Sequence, residues 1–151
     1  MPTTSILLVA HAPLAAALAD LARHVYPDCG VAVRAVDIDA AADATQAQAL
    51  VREAVQAVAG GDVLILADVF GATPCNAALA VADGVRQRVV TGVNVPMLWR
   101  TLGYAGLPLD ELVSRAVAGA THGVMQVSGP RRQNQPTAPG GHDQVQHHHQ
   151  Q

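Results

Sequence analysis

The chain has 151 residues, half of them apolar, with a formal net charge of -3. That is apolar material enough for one domain with a sheet-and-helix core, and it excludes a body that is disordered throughout. All nine basic residues are arginine, so a catalytic or phosphate-loop lysine is excluded, and no basic stripe points to nucleic acid.

The elements follow in order. Ile6 to Ala10 is an unbroken apolar run, the pattern of a strand covered on both faces. It is too short to span a membrane and carries no basic leader, so a cytoplasmic chain without membrane insertion is expected. Leu14 to Val25 reads as a helix, with Leu14, Leu18, Leu21 and Val25 on one face. Pro27, Asp28 and Gly30 break it. Val31 to Asp37 is a second strand and Thr45 to Ala59 a second helix, closed by Gly60 and Gly61. Val63 to Asp68 has the composition of a central strand. Thr73 is placed to cap a helix that opens at Pro74 and closes at Gly84. Arg88 to Thr91 is the fourth strand, followed by a helix near Pro96 and another from Pro108 to about Ala118. His122 to Val127 reads as a short last strand.

This alternation predicts an α/β fold, a doubly wound open sheet with central parallel strands, for which the order 2-1-3-4 is assumed. The domain is expected over residues 1–128. Residues 129–151, rich in Gly, Pro, Gln and His, are expected to be a disordered tail. His142, His147, His148 and His149 could bind a transition metal weakly, but no metal or cofactor role in the domain follows. Cys29 and Cys75 have neither CxxC nor metal-ligand spacing and are expected to be reduced.

Open parallel sheets take ligands beyond the carboxyl ends of their strands, beside the switch point. If strands one and three are neighbours, His11 and Asp68 face one crevice. A carboxylate that accepts Nδ1–H fixes the tautomer and leaves Nε2 as a nucleophile for phosphorus. The plainer alternative is an ordinary polar residue at each strand end. Gly71, Ala72 and Thr73 add a small-residue loop whose amides and hydroxyl can approach an anion, next to a helix N-terminus. Phe70, Asn76, Asn94, Met97 and Arg100 are candidate partner contacts. Their alternatives are core packing for Phe70 and Met97, local capping or turn roles for Asn76 and Asn94, and solvent exposure for Arg100.

At these residues the chain resembles the IIA component of the mannose-type (mannose/fructose/sorbose) bacterial sugar phosphotransferase system. Three segments carry the resemblance, ILLVAH, ADVFGATPCNAAL and TGVNVPML, in order and at compatible distances. The resemblance implies that His11 accepts a phosphoryl group from the carrier protein HPr and passes it to a IIB component, with Asp68 as its hydrogen-bond partner. It also implies that Thr73 and nearby amides steady the phosphoryl oxygens. A homodimer is implied too, with the last strand exchanged as an antiparallel fifth edge strand. Ala12 stands where the family usually has glycine. No attached IIB domain is expected, since residues 129–151 are too few to form one.

Three rivals share parts of this pattern. The phosphoryl-carrier domain of the dihydroxyacetone kinase system also uses a strand-end histidine, but PCNAA and NVPML favour the mannose-type family. A tetrapyrrole chelatase would need a metal-ligand set that His24 and His122 do not complete. A regulatory module would use phosphorylation of His11 to switch the docking of another protein, without a transport role.

Overall fold

A computed structural model describes residues 3–58 and 60–130; the expected tail beyond residue 130, with its histidines, and the expected helix end at Ala59 lie outside them. Four strands, β1 (Ser5–His11), β2 (Val33–Ile38), β3 (Val63–Ala67) and β4 (Gln87–Thr91), form one parallel sheet in the order β2-β1-β3-β4. The helices are α1 (Leu14–Val25), α2 (Ala44–Ala57), α3 (Thr73–Val81), α4 (Val95–Gly103) and α5 (Leu109–His122).

The unbroken apolar runs of β1 and β3 serve two cores. Ile6, Leu8, Ala10, Leu64 and Leu66 pack with Leu18 of α1, Leu98 of α4 and Leu112 of α5. Leu7, Val9, Val63 and Ile65 pack with Val51 of α2 and Ala77 of α3. Successive strand residues point to opposite faces, so a strand buried on both sides cannot alternate with polar residues. That is why neither central strand does.

Local chemistry sets the boundaries. α2 opens at a capping box: the Asp43 carboxylate accepts the Gln46 N–H at 2.8 Å, and the Gln46 side chain accepts the Asp43 N–H at 3.0 Å. α3 has Ala72 as N-cap with no side-chain bond. Thr73 is therefore the first helical residue and not the cap, which corrects the expectation; the cap falls one residue earlier because Pro74 takes the second helical position. α3 also ends at Val81, ahead of Gly84. That glycine, at φ +76°, belongs to the next turn, where the Asp83 carboxylate accepts from Val85, Arg86 and Gln87 N–H.

The start of the last expected element is also corrected. α5 runs on to His122, and the Gly123 N–H continues the ladder to the Gly119 carbonyl at 3.1 Å. Residues 124–130 have no regular structure in the single chain, and Val124, Met125 and Val127 are exposed. The helix persists because Ala116 and Gly119 are buried and bring α5 close against α4.

Gly119 tests that close approach. A Cβ there would lie 2.6 Å from Arg100 Cβ and 3.2 Å from the Pro96 carbonyl oxygen. Gly→Ala inside an unhindered helix stabilises by about 0.5–1 kcal/mol. Here Gly119→Ala is expected to destabilise by about 1–3 kcal/mol, because the overlap must be relieved by moving α4 or α5. Urea unfolding measures this, and a variant as stable as wild type would contradict the packing.

Candidate functional site

The sheet order brings the ends of β1 and β3 side by side, with Val9 paired to Ala67. His11 closes β1 and Asp68 follows β3 directly. His11 pairs across the strands with Ile38, which faces α2 and α3. Its side chain is therefore on the face where α3 begins. Asp68 Oδ2 accepts from His11 Nδ1 at 2.7 Å and from the His11 backbone N–H at 2.9 Å. Asp68 Oδ1 accepts the Val69 N–H at 2.8 Å. The backbone beneath is held as well: the carbonyl of Asp68 accepts the Gly92 N–H, and that of Ala67 the Val93 N–H.

The two side chains differ in exposure, at 47 % for His11 and 11 % for Asp68. Burial is the largest influence on Asp68 and raises its pKa. The His11 backbone N–H, the His11 ring, the Val69 N–H and the charge of His11 together outweigh it, so the net shift is downward. An ionised Asp68 can only accept. Nδ1 of His11 therefore carries a proton, and in the neutral imidazole the lone pair lies on Nε2, on a half-exposed ring.

Beside this pair the Gly71 turn, at φ +89°, leads into α3. The Asn76 side-chain amide donates to the Gly71 carbonyl at 3.3 Å, and its backbone N–H donates to the Ala72 carbonyl. Asn76 thus fastens the loop and remains exposed. Among the described residues no side chain caps α3, and its first turn holds no acidic residue. Its leading amides form a neutral donor set at the carboxyl edge of the sheet, and Thr73 is the first helical residue there. Val69 and Phe70 are exposed on the rim, Phe70 at 75 %, so Phe70 is not a core residue.

Other candidates fall elsewhere. Met97 is 1 % exposed and packs in the core with Ala15 and Leu98, so it cannot touch a partner on this chain; its place one turn into α4 turns it inward. Asn94 is the N-cap of α4. It accepts the Met97 N–H at 2.8 Å and donates to the Ala120 carbonyl at 3.4 Å, a structural role that half buries it. Arg100, half-buried, lines a concavity of about 280 Å³ with Tyr26, Trp99 and Tyr104, at the far end of α1 from His11. A concavity of about 540 Å³ on α2, bordered by Asp39, Gln46 and Glu53, does not include His11 or Asp68. Cys29 and Cys75 are free thiols. Among the described residues, no group of three or more His, Cys, Asp or Glu could hold a metal ion, and no helix is long and apolar enough to cross a membrane.

One residue near the site was not legible beforehand. Asp37, on β2, accepts the N–H of Ala15 at 2.9 Å and of Ala16 at 3.3 Å, capping α1 from the neighbouring strand. Its place among the strand-end carboxylates was visible, but its partner depends on which helix β2 meets in space.

Against this geometry, the family model described as "PTS system fructose IIA component" matches residues 5–117. The mannose/sorbose-specific IIA subunit of Enterococcus faecalis superposes with a TM-score of 0.77 at 23 % identity, covering 87 % of this chain and 99 % of its own. The phosphotransferase component EIIA of Streptococcus agalactiae gives 0.69 at 19 % identity, over 82 % and 96 %. The IIA protein associated with the fucose utilization operon of Streptococcus pneumoniae gives 0.69 at 20 %, over 83 % and 96 %. At these identities the structures establish the fold. No curated protein matches the chain.

The lowered pKa of Asp68 sets a pH dependence. A carboxylate whose folded pKa is depressed contributes stability above its unfolded value, about 4, and loses it as pH falls through the folded value. Asp68→Asn is expected to be less stable than wild type at pH 7, with the difference in Tm shrinking below about pH 4. Melting curves from pH 7 to 2.5 check this; a difference that stays constant contradicts the hydrogen-bonded carboxylate.

Proposed function

The chain belongs to the PTS system fructose IIA component family, the mannose/fructose/sorbose IIA proteins of the sugar phosphotransferase system, and from that premise we propose that it is a phosphohistidine carrier acting through His11. A phosphotransfer role comes with membership. The carrier residue, its donor and its acceptor are the reading offered here. The observation that carries it is the 2.7 Å bond from His11 Nδ1 to Asp68, on a ring that stays half-exposed.

In the proposed step, Nε2 of His11 attacks phosphorus on the phosphohistidine of HPr. The new N–P bond forms as the old one breaks, and the departing imidazole keeps the electron pair. His11 becomes N-phosphorylated with its Nδ1 proton still donated to Asp68, whose charge balances the ring. The α3 amides and the Thr73 hydroxyl receive the phosphoryl oxygens. Transfer to a IIB component reverses these roles, with the acceptor nitrogen as nucleophile. The exposed Val69 and Phe70 suit contact with carriers that must dock and leave. Ala12 flanks His11 on the same rim, so its methyl group bears on how closely a partner approaches.

The reading extends to a cytoplasmic homodimer. Among the described residues β4 pairs only with β3, and the exposed segment containing Val124, Met125 and Val127 is apolar enough to cover another subunit. Light scattering is expected to give twice the chain mass, and deletion after Gly123 to halve it. A full-length monomer at micromolar concentration refutes the dimer.

The carrier function is tested with radiolabelled phosphoenolpyruvate, Enzyme I and HPr. Wild type is expected to take up acid-labile, base-stable label and His11→Ala to take up none. Asp68→Ala is expected to accept about 10- to 100-fold more slowly. Equal labelling of wild type and His11→Ala overturns the site. Discharge on adding a IIB protein supports the transport role over a purely regulatory one.

A further inference from the structure

Two helices begin beside His11 and their first turns are treated differently. α3 opens without a side-chain cap. α1 opens three residues after His11, and its N-cap, Pro13, offers no side-chain acceptor. There Asp37 reaches across from β2, and one oxygen, Oδ1, accepts from both Ala15 and Ala16. Ala15 is fully buried, so its N–H has no solvent to turn to. Asp37 pairs with Ala10, which faces α1, whereas His11 faces α3. The carboxylate therefore works behind His11 and not in front of it.

The segment from His11 to Ala16 is pinned at three points. The His11 N–H goes to Asp68, the Ala12 N–H goes to the Ile38 carbonyl at 3.0 Å, and Ala15 and Ala16 go to Asp37. Pro13 has no N–H, so the chain between the second and third points has no other backbone donor except that of Leu14. We propose that Asp37 is a positioning residue for phosphoryl transfer: by fixing the start of α1 to β2, it holds the His11 segment where the ring meets Asp68 and presents Nε2. It also occupies the donors at the start of α1, leaving the start of α3 as the uncapped helix end near the phosphoryl group.

The proposal rests on the carrier reading of His11 for its kinetic arm only. Removing the acceptor leaves a buried N–H unpaired and frees the third pin. Replacing Asp37 by Asn keeps an acceptor oxygen and removes only the charge. The experiment compares wild type, Asp37→Ala, Asp37→Asn and Val51→Ala, the last a core truncation on α2 that matches general destabilisation away from the site. Two quantities are read: the single-turnover rate of acceptance from phospho-HPr, and the ¹⁵N shifts of the His11 imidazole, which report its tautomer.

Asp37→Ala is expected to slow transfer about tenfold and to shift His11 from a fixed Nδ1–H tautomer towards a mixture, since small displacements of a reacting group carry large rate costs. Asp37→Asn is expected to stay within about twofold of wild type in rate, with an unchanged tautomer, because the oxygen that accepts is retained. Val51→Ala is expected to change neither. A wild-type tautomer in Asp37→Ala overturns the proposal. So does an Asp37→Asn as impaired as Asp37→Ala, which would assign the effect to charge. If wild type takes up no phosphate, the carrier reading fails by itself, and the tautomer comparison still decides the role of Asp37.

Discussion

A single oxygen of Asp68 accepts both the backbone N–H and the ring Nδ1 of His11, at 2.9 and 2.7 Å. That shared acceptor ties the end of β1 to the residue after β3 and sets the ring's tautomer in the same contact. It exists only because β1 and β3 are neighbours, which in turn depends on the crossover order of the sheet. The carboxylate is affordable in a half-enclosed position because three donors meet it. Backbone bonds from Gly92 and Val93 hold its own segment in place. The histidine, by contrast, remains half-exposed to solvent, as the proposed exchange with other proteins requires.

The charge distribution around the pair follows from the composition. Without lysine, and with no basic residue in the loop from Val69 to Thr73, a bound phosphoryl group would meet neutral donors. Amides at a helix start are worth on the order of 1 kcal/mol to a nearby anion. Such a cradle steadies a transferring group without trapping it, whereas a lysine or arginine clamp would favour retention. The two helix starts at this edge divide the work: one is spent on Asp37, and the other is left uncapped.

Much of this arrangement was legible in the sequence, because it depends on short-range patterns. The unbroken runs of β1 and β3 announce burial on both faces, and Pro74 places the start of α3 within a residue. His11 and Asp68 could be paired once the 2-1-3-4 order was assumed. What was left open or misread depends on tertiary contacts. Met97 is an ordinary apolar residue until the turn of α4 carries it into the core. Asn94 reads equally as a partner contact or as a turn or capping residue until its side-chain oxygen caps α4. His122 to Val127 has the apolar content of a strand, yet its first residue is drawn into α5 by the close contact of Gly119 with α4. The Asp43–Gln46 capping box was written in the sequence at the expected spacing and would have moved the start of α2 by one residue. Asp37 had no local signal, since its partners belong to another element.

The central claim is that Asp68 occupies Nδ1 of His11 and thereby leaves Nε2 as the phosphoryl acceptor. The most direct measurement is the ³¹P–¹⁵N coupling pattern in protein carrying ¹⁵N-labelled histidine after phosphorylation by phospho-HPr. The account predicts phosphorus bonded to Nε2 of His11, with Nδ1 still protonated. Phosphorus on Nδ1, or on another histidine, would contradict it.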